Sequence, residues 1–302
     1  MARITANGVE FEYEIVGDPS APAIIGVTGF TDQLIDWPDE LIGQFVKAGY
    51  CFLRYDSRDM GLSTSFDQFG APGMTRLVAA AFSKSLANSP YTMGDMANDC
   101  LALIDSLQLG PVHAIGFSMG GQILQLAALQ RPDAFRSLSL LFTTSGDQAL
   151  PLPSAGLFAK SVAAATDKPT REKAIKATLD LIEATNGSVY FKNVNEARAD
   201  AEAAYDRAYT PSGAGRHLLA MFATPPYHHR LGELASIPTL ILQASEDAFF
   251  TRENGQSLKD KIPGSELVII QGAGHNLAHN LAPVLAGHIL CHIKSLQVKN
   301  HA

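Results

Sequence analysis

Gly116-Phe117-Ser118-Met119-Gly120 joins an apolar run, Val112-His113-Ala114-Ile115, to a helical one that starts at Gln122. A serine between two glycines at a strand-to-helix corner is the pattern of a nucleophile elbow. So tight a turn drives the serine backbone into a strained conformation. Any side chain at either glycine would collide with the neighbouring strand or helix. The hydroxyl is lifted clear of the sheet, and the first amides of the helix stay free to stabilise negative charge.

Around the elbow, short apolar strands alternate with amphipathic helices, the mark of a mostly parallel, doubly wound α/β sheet. The spacing predicts buried strands at Ala23–Val27, Cys51–Arg54, Val112–Ile115, Leu138–Phe142, Thr239–Gln243 and Leu267–Ile270. Thr92 is the expected N-cap of a helix carrying Met96, Cys100, Leu103, Ile104 and Leu107 on one face, ended by Gly110-Pro111. Asn7-Gly8 reads as a two-residue hairpin turn. The alternation breaks between about Gly146 and Arg230, where alanine-rich helical runs follow one another without a strand. The expected organisation is a core at 1–145, an inserted helical cap at 146–230 after the sixth strand, and the rest of the core at 231–302.

An unassisted serine hydroxyl is a poor nucleophile at neutral pH, so Ser118 calls for a base. His275 follows the Leu267–Ile270 strand through the glycine-rich turn Gly272-Ala273-Gly274, which puts it at the carboxyl edge of the sheet. His113 is expected to point into the sheet's packing. His217, His228 and His229 fall in or near the cap, and His288 and His292 on the terminal helix. His279, four residues on, is the nearest rival.

Several segments together resemble the α/β-hydrolase fold family: Gly26-Val27-Thr28-Gly29-Phe30, the stretch Arg54 to Ser63, the serine elbow, Ser245-Glu246-Asp247 and Gly272 to His275. Trp37-Pro38-Asp39-Glu40 and Arg54-Tyr55-Asp56-Ser57-Arg58-Asp59 look most like its esterase branch that includes aclacinomycin methylesterase. The resemblance implies an α/β-hydrolase fold and a Ser–Asp–His triad. It selects Asp247 over the adjacent Glu246 as the acid that orients His275, with Glu246 expected to face solvent. It also implies an oxyanion hole from the amides of Met119 and Phe30, although Thr28 stands where the family usually has a histidine. Asp56, Arg58, Asp59 and Gly61 are read as a salt-bridged brace for that turn rather than as catalytic carboxylates. Trp37, Phe222 and Tyr227 are expected pocket residues, with Phe158, Tyr190, Phe191, Tyr205, Tyr209 and Met221 as further apolar lining.

The chain has 302 residues and a net charge of -7 without a basic run, which disfavours nucleic acid as a partner. No stretch is long and apolar enough for a membrane span, and the amino terminus enters a strand pattern without an apolar leader. Cys51, Cys100 and Cys291 are read as buried free thiols, which with the missing leader points to the cytoplasm. No metal-ligand spacing occurs and no cofactor is implied. The leading expectation is hydrolysis of a small, moderately apolar carboxylic ester through an acyl-enzyme. Carbon–carbon bond, thioester or lactone hydrolysis and perhydrolysis use the same triad, and a non-catalytic ligand-binding receptor is the reading from another class. The sequence leaves the oligomeric state open.

Overall fold

Strands buried on both faces need cover on both faces, and the sheet meets that demand. The computed structural model describes residues 1–83, 86–168 and 170–299. Among them eight strands form one sheet: β1 (Ala2–Ala6), β2 (Val9–Val16), β3 (Ala23–Val27), β4 (Cys51–Tyr55), β5 (Val112–Phe117), β6 (Phe135–Leu141), β7 (Thr239–Ala244) and β8 (Glu266–Ile270). Their order is β1-β2-β4-β3-β5-β6-β7-β8. β3 to β8 run parallel, while β2 is antiparallel to both neighbours. Asn7 (φ 48°) and Gly8 (φ 72°) make the β1–β2 turn with two positive φ angles, as a type I′ hairpin requires.

Successive residues of β3 serve opposite layers: Ile25 packs with α3 (Met93–Ser106) and α4 (Met119–Gln130), and Ile24 with α1 (Asp39–Lys47) and α10 (Ala282–Lys299). α3 begins as its sequence signals. The Thr92 hydroxyl accepts from the Asp95 amide, and the Asp95 carboxylate accepts from the Thr92 amide.

Between β6 and β7 the chain forms α5 (Ala155–Ala164), α6 (Arg171–Thr185), α7 (Val194–Arg207) and α8 (Pro211–Ala223). Two further helices, α2 (Met74–Phe82), which packs on α8, and α9 (Arg252–Lys261), between β7 and β8, were not legible in the sequence. Residues outside 146–230 therefore pack with this helical segment. Arg216 of α8 anchors it by a two-pronged ion pair with Asp59 (2.8 and 2.6 Å), and Asp59 also accepts from the Tyr91 hydroxyl at 2.6 Å. Arg58 grips Asp99 in the same two-pronged way, with both contacts at 2.6 Å. The charged stretch after β4 is thus built into ion pairs, and those of Asp59 with Arg216 and of Asp56 with Arg207 tie the helical segment to the core.

One expectation on a cysteine side chain is corrected by the fold. Cys291 is exposed rather than buried, because it lies on the outward side of α10, whereas Cys51 and Cys100 are buried as read. Burial pushes the Cys100 thiol up to about 12 and raises that of Cys51, which leaves both as unreactive thiols. Among the described residues no helix is long and apolar enough to cross a membrane.

Candidate active site

In a parallel sheet every strand delivers its following loop to the same edge. The loops after β3, β5, β7 and β8 carry Phe30, Ser118, Asp247 and His275, so four distant segments meet at one place. Ser118 has φ 55° and ψ −118°, a conformation disfavoured for a residue with a side chain. Its amide donates to Leu141 O at 2.9 Å, and its carbonyl accepts from the Thr143 hydroxyl at 2.6 Å, which hold the strained turn. A Cβ on Gly116 would lie 2.6 Å from Gly120 O, and one on Gly120 would run into the Val27 carbonyl. Both glycines are therefore required by close backbone approach.

Ser118 Oγ lies 2.9 Å from His275 Nε2, and His275 Nδ1 lies 2.8 Å from Asp247 Oδ2. The other oxygen of Asp247 accepts from the Phe249 and Phe250 amides, both at 2.8 Å. Two backbone donors on one oxygen hold the carboxylate at a fixed angle. The rings of Phe117, Phe249 and Phe250 surround the imidazole at 5.1, 4.9 and 5.5 Å. With Nδ1–H donating to Asp247, Nε2 is left to accept the serine proton, a tautomer assigned from these partners. Met119 is the first residue of α4, whose leading amides have no intrahelical acceptor, and Phe30 borders the cavity beside Ser118.

The competing histidines sit elsewhere. His279 is half-buried, with its Nδ1 3.7 Å from Glu40 Oε1. His113 is buried against the Ser137 hydroxyl at 2.8 Å, and burial pushes its imidazole down to about 4. His217 is buried with Nε2 on Arg58 O at 2.6 Å. Glu246 is solvent-exposed, yet both its oxygens accept from Ser188, at 2.7 Å each.

Ser118 and His275 open into a cavity of about 610 Å³. Phe222, Phe158, Met221, Tyr205 and Tyr209 line it as expected from the sequence, joined by Phe249, Phe250, Leu181 and Ile182, which sequence reasoning missed. Trp37 and Tyr227 do not line it. Trp37 is 1% exposed and packs edge-on against Phe52 at 5.5 Å, because it faces the sheet at the start of α1. Tyr227 is buried in the core layer on the α4 side of the sheet, against Gly146. Tyr190 and Phe191 also stand outside the cavity lining.

One wall is polar: Asp32 and Asp36 follow the β3 turn, and Lys192 and Asp200 come from the helical segment, paired at 2.6 Å. Burial, reinforced by Asp36, pushes the Asp32 carboxyl up to about 8, against the pull of Lys192 and the Gly29 amide. An unfolded aspartate is ionised above about pH 4, so folded Asp32 binds the extra proton from there up to its raised value. Stability then falls as pH rises through that window. Asp32→Asn removes this burden. Thermal melts should show it raising the midpoint relative to wild type at pH 8 and leaving it unchanged at pH 4, and equal shifts at both pH values would contradict the assignment.

The chain belongs to the alpha/beta hydrolase fold family, whose sequence profile matches residues 22–280. It is similar over its whole length to rhodomycin D methylesterase DauP of Streptomyces sp. (strain C5), with 27% identity covering 98% of each chain. Rhodomycin D methylesterase DnrP of Streptomyces peucetius is 26% identical with the same coverage. Among solved structures, the enol-lactonase of Burkholderia xenovorans LB400 superposes with a TM-score of 0.74 at 21% identity, covering 97% of this chain and all of that one. A thermophilic esterase of Thermogutta terrifontis gives 0.70 at 22% identity, covering both chains completely. At these identities the structural likeness speaks for the fold alone.

Proposed function

We propose that this protein is a carboxylic-ester hydrolase that works through an acyl-enzyme on Ser118, with His275 as base and Asp247 as orienting acid. The supporting observation is the relay of 2.9 and 2.8 Å contacts from Ser118 through His275 to Asp247, opening on a largely apolar cavity. Ser118 Oγ attacks the ester carbonyl while His275 Nε2 takes its proton. Asp247 keeps Nδ1 protonated and stabilises the imidazolium that forms. The amides of Met119 and Phe30 receive the charge that develops on the carbonyl oxygen. Collapse of the tetrahedral adduct expels the alcohol, which leaves with the proton held on Nε2. Water, deprotonated by the same nitrogen, then releases the acid and restores Ser118.

Residues 146–230 act in this reading as a cap that roofs the site, with α2 contributing beside it. Exclusion of water strengthens every electrostatic contact beneath. A cavity of about 610 Å³ with aromatic and aliphatic walls suits an apolar acyl group far larger than acetyl. Together with the methylesterase names of the full-length relatives, this makes a methyl ester of a bulky apolar acid the preferred substrate class. The buried thiols of Cys51 and Cys100 fit a reducing compartment, so we assign the protein to the cytoplasm.

Kinetics on purified protein with methyl and p-nitrophenyl esters of increasing acyl size test this reading. Phe222, half-buried and tilted against Phe158 at 6.3 Å, belongs to the wall such acyl groups would touch. Phe222→Ala should lower kcat/KM for the bulkiest ester by about 10- to 100-fold, as for a lost apolar contact, and change that for acetate esters little. Equal losses across the series would assign Phe222 to folding alone.

A further inference from the structure

The turn that carries Phe30 lacks the support expected from below. Thr28, where the family resemblance leads one to expect a histidine, is 3% exposed, and its hydroxyl has no hydrogen-bond partner. Three residues further, Thr31 has a strained φ of 69°. A turn in that state needs to be held from another side, and Gln33, two residues after Thr31, does so.

Gln33 is 3% exposed and spends its whole amide on the helical segment. Its Nε2 donates to Ala204 O at 2.8 Å and to Ala208 O at 2.9 Å, and its Oε1 accepts from Arg207 Nη1 at 2.6 Å. These carbonyls lie at the carboxyl end of α7, where backbone acceptors run out of helical donors. Arg207 reaches on with Nη2 to Asp56 at 2.8 Å, a carboxylate with no exposed surface. Asp56 in turn accepts from the Leu34 amide at 2.8 Å and from the Leu62 amide at 2.8 Å. The circuit Leu34–Asp56–Arg207–Gln33 therefore closes around the residues just after the oxyanion turn and pins them to α7. Within the turn itself, the Gly29 amide donates to the Asp32 carboxyl at 3.1 Å, which ties Phe30 to the same short segment.

We infer that Gln33 and Arg207 are positioning residues that set the Phe30 amide from the cap side, so that docking of α7 determines the geometry of the oxyanion hole. This rests on the serine-esterase reading of Ser118. In an oxyanion hole the donor must sit where the charge develops, so a small displacement costs transition-state stabilisation while substrate affinity is retained. The clasp therefore acts on kcat, and through a single linked unit. Removing either member releases the turn, and removing both releases it no further.

The test uses p-nitrophenyl acetate, whose acyl group is too small to need the cavity walls, and the variants Gln33→Ala, Arg207→Ala and the double variant of the full chain. Assays run well below each variant's measured thermal midpoint. Expected for each single variant is a loss in kcat of about 10- to 100-fold, smaller than for outright deletion of an oxyanion donor, with KM within about twofold of wild type. The double variant should match the worse single one. Arg207→Lys, which keeps the charge toward Asp56, should recover part of the loss, and it carries the test if an alanine variant does not fold. A lowered midpoint with unchanged kcat overturns the proposal, as do losses that multiply in the double variant. Labelling by a fluorophosphonate probe separates this result from a failure of the parent reading. Complete modification of Ser118 in wild type with unchanged kcat in the variants rejects the clasp alone, whereas no modification in wild type rejects the esterase reading and the clasp with it.

Discussion

Ser118→Ala should abolish turnover of any carboxylic ester, with a loss in kcat on the order of 10⁵- to 10⁶-fold for removal of a triad nucleophile. The fold should survive, because the elbow is held by backbone contacts: the Ser118 amide on Leu141 O and the Thr143 hydroxyl on the Ser118 carbonyl. Alanine tolerates the positive φ no worse than serine does, so circular dichroism and thermal midpoint should stay close to wild type. A fluorophosphonate should modify wild type at this position and leave the alanine variant untouched. Stoichiometric labelling of the variant would move the nucleophile to another residue.

His275→Ala should be nearly as damaging as loss of the serine, and Asp247→Asn should cost on the order of 10⁴-fold by favouring the wrong tautomer. The double variant of His275 and Ser118 should be no slower than either alone, since the two act as one device. Geometry makes the comparison with His279 decisive: His279 faces Glu40 at 3.7 Å, whereas His275 makes the 2.9 Å contact with Ser118. His279→Ala should therefore keep kcat within about twofold, as for an ordinary surface change. A crippled His279→Ala enzyme with an active His275→Ala one would reverse the assignment.

What the sequence made readable follows from how local each constraint is. The elbow is written in five consecutive residues because backbone crowding at Gly116 and Gly120 excludes every other residue type there. The strand runs could be read because each is continuously apolar, and Thr92 because capping is a contact three residues long. Asp247 stood beside Glu246 and needed the family resemblance to separate them; in the fold, one carboxylate meets His275 and the other meets Ser188. Pocket lining was poorly legible, since an aromatic at helical spacing states that one face is apolar and not what that face meets. Trp37 and Tyr227 met the core. Phe249 and Phe250 carried an unused signal: they follow the acid directly, and their amides wrap its carboxylate. Asp32, Lys192 and the Gln33–Arg207 clasp are joined across more than 150 residues of chain, and only the assembled tertiary structure brings them together.

The central claim is a covalent intermediate on Ser118, and its most direct test is single-turnover hydrolysis in H₂¹⁸O, quenched within the first turnover and read by mass spectrometry. The mechanism predicts an acyl adduct confined to the peptide that contains Ser118, decaying as product appears. It also predicts ¹⁸O in the released acid and none in the protein. Product formation with no adduct at any time, or ¹⁸O incorporated into an aspartate or glutamate side chain, would contradict it.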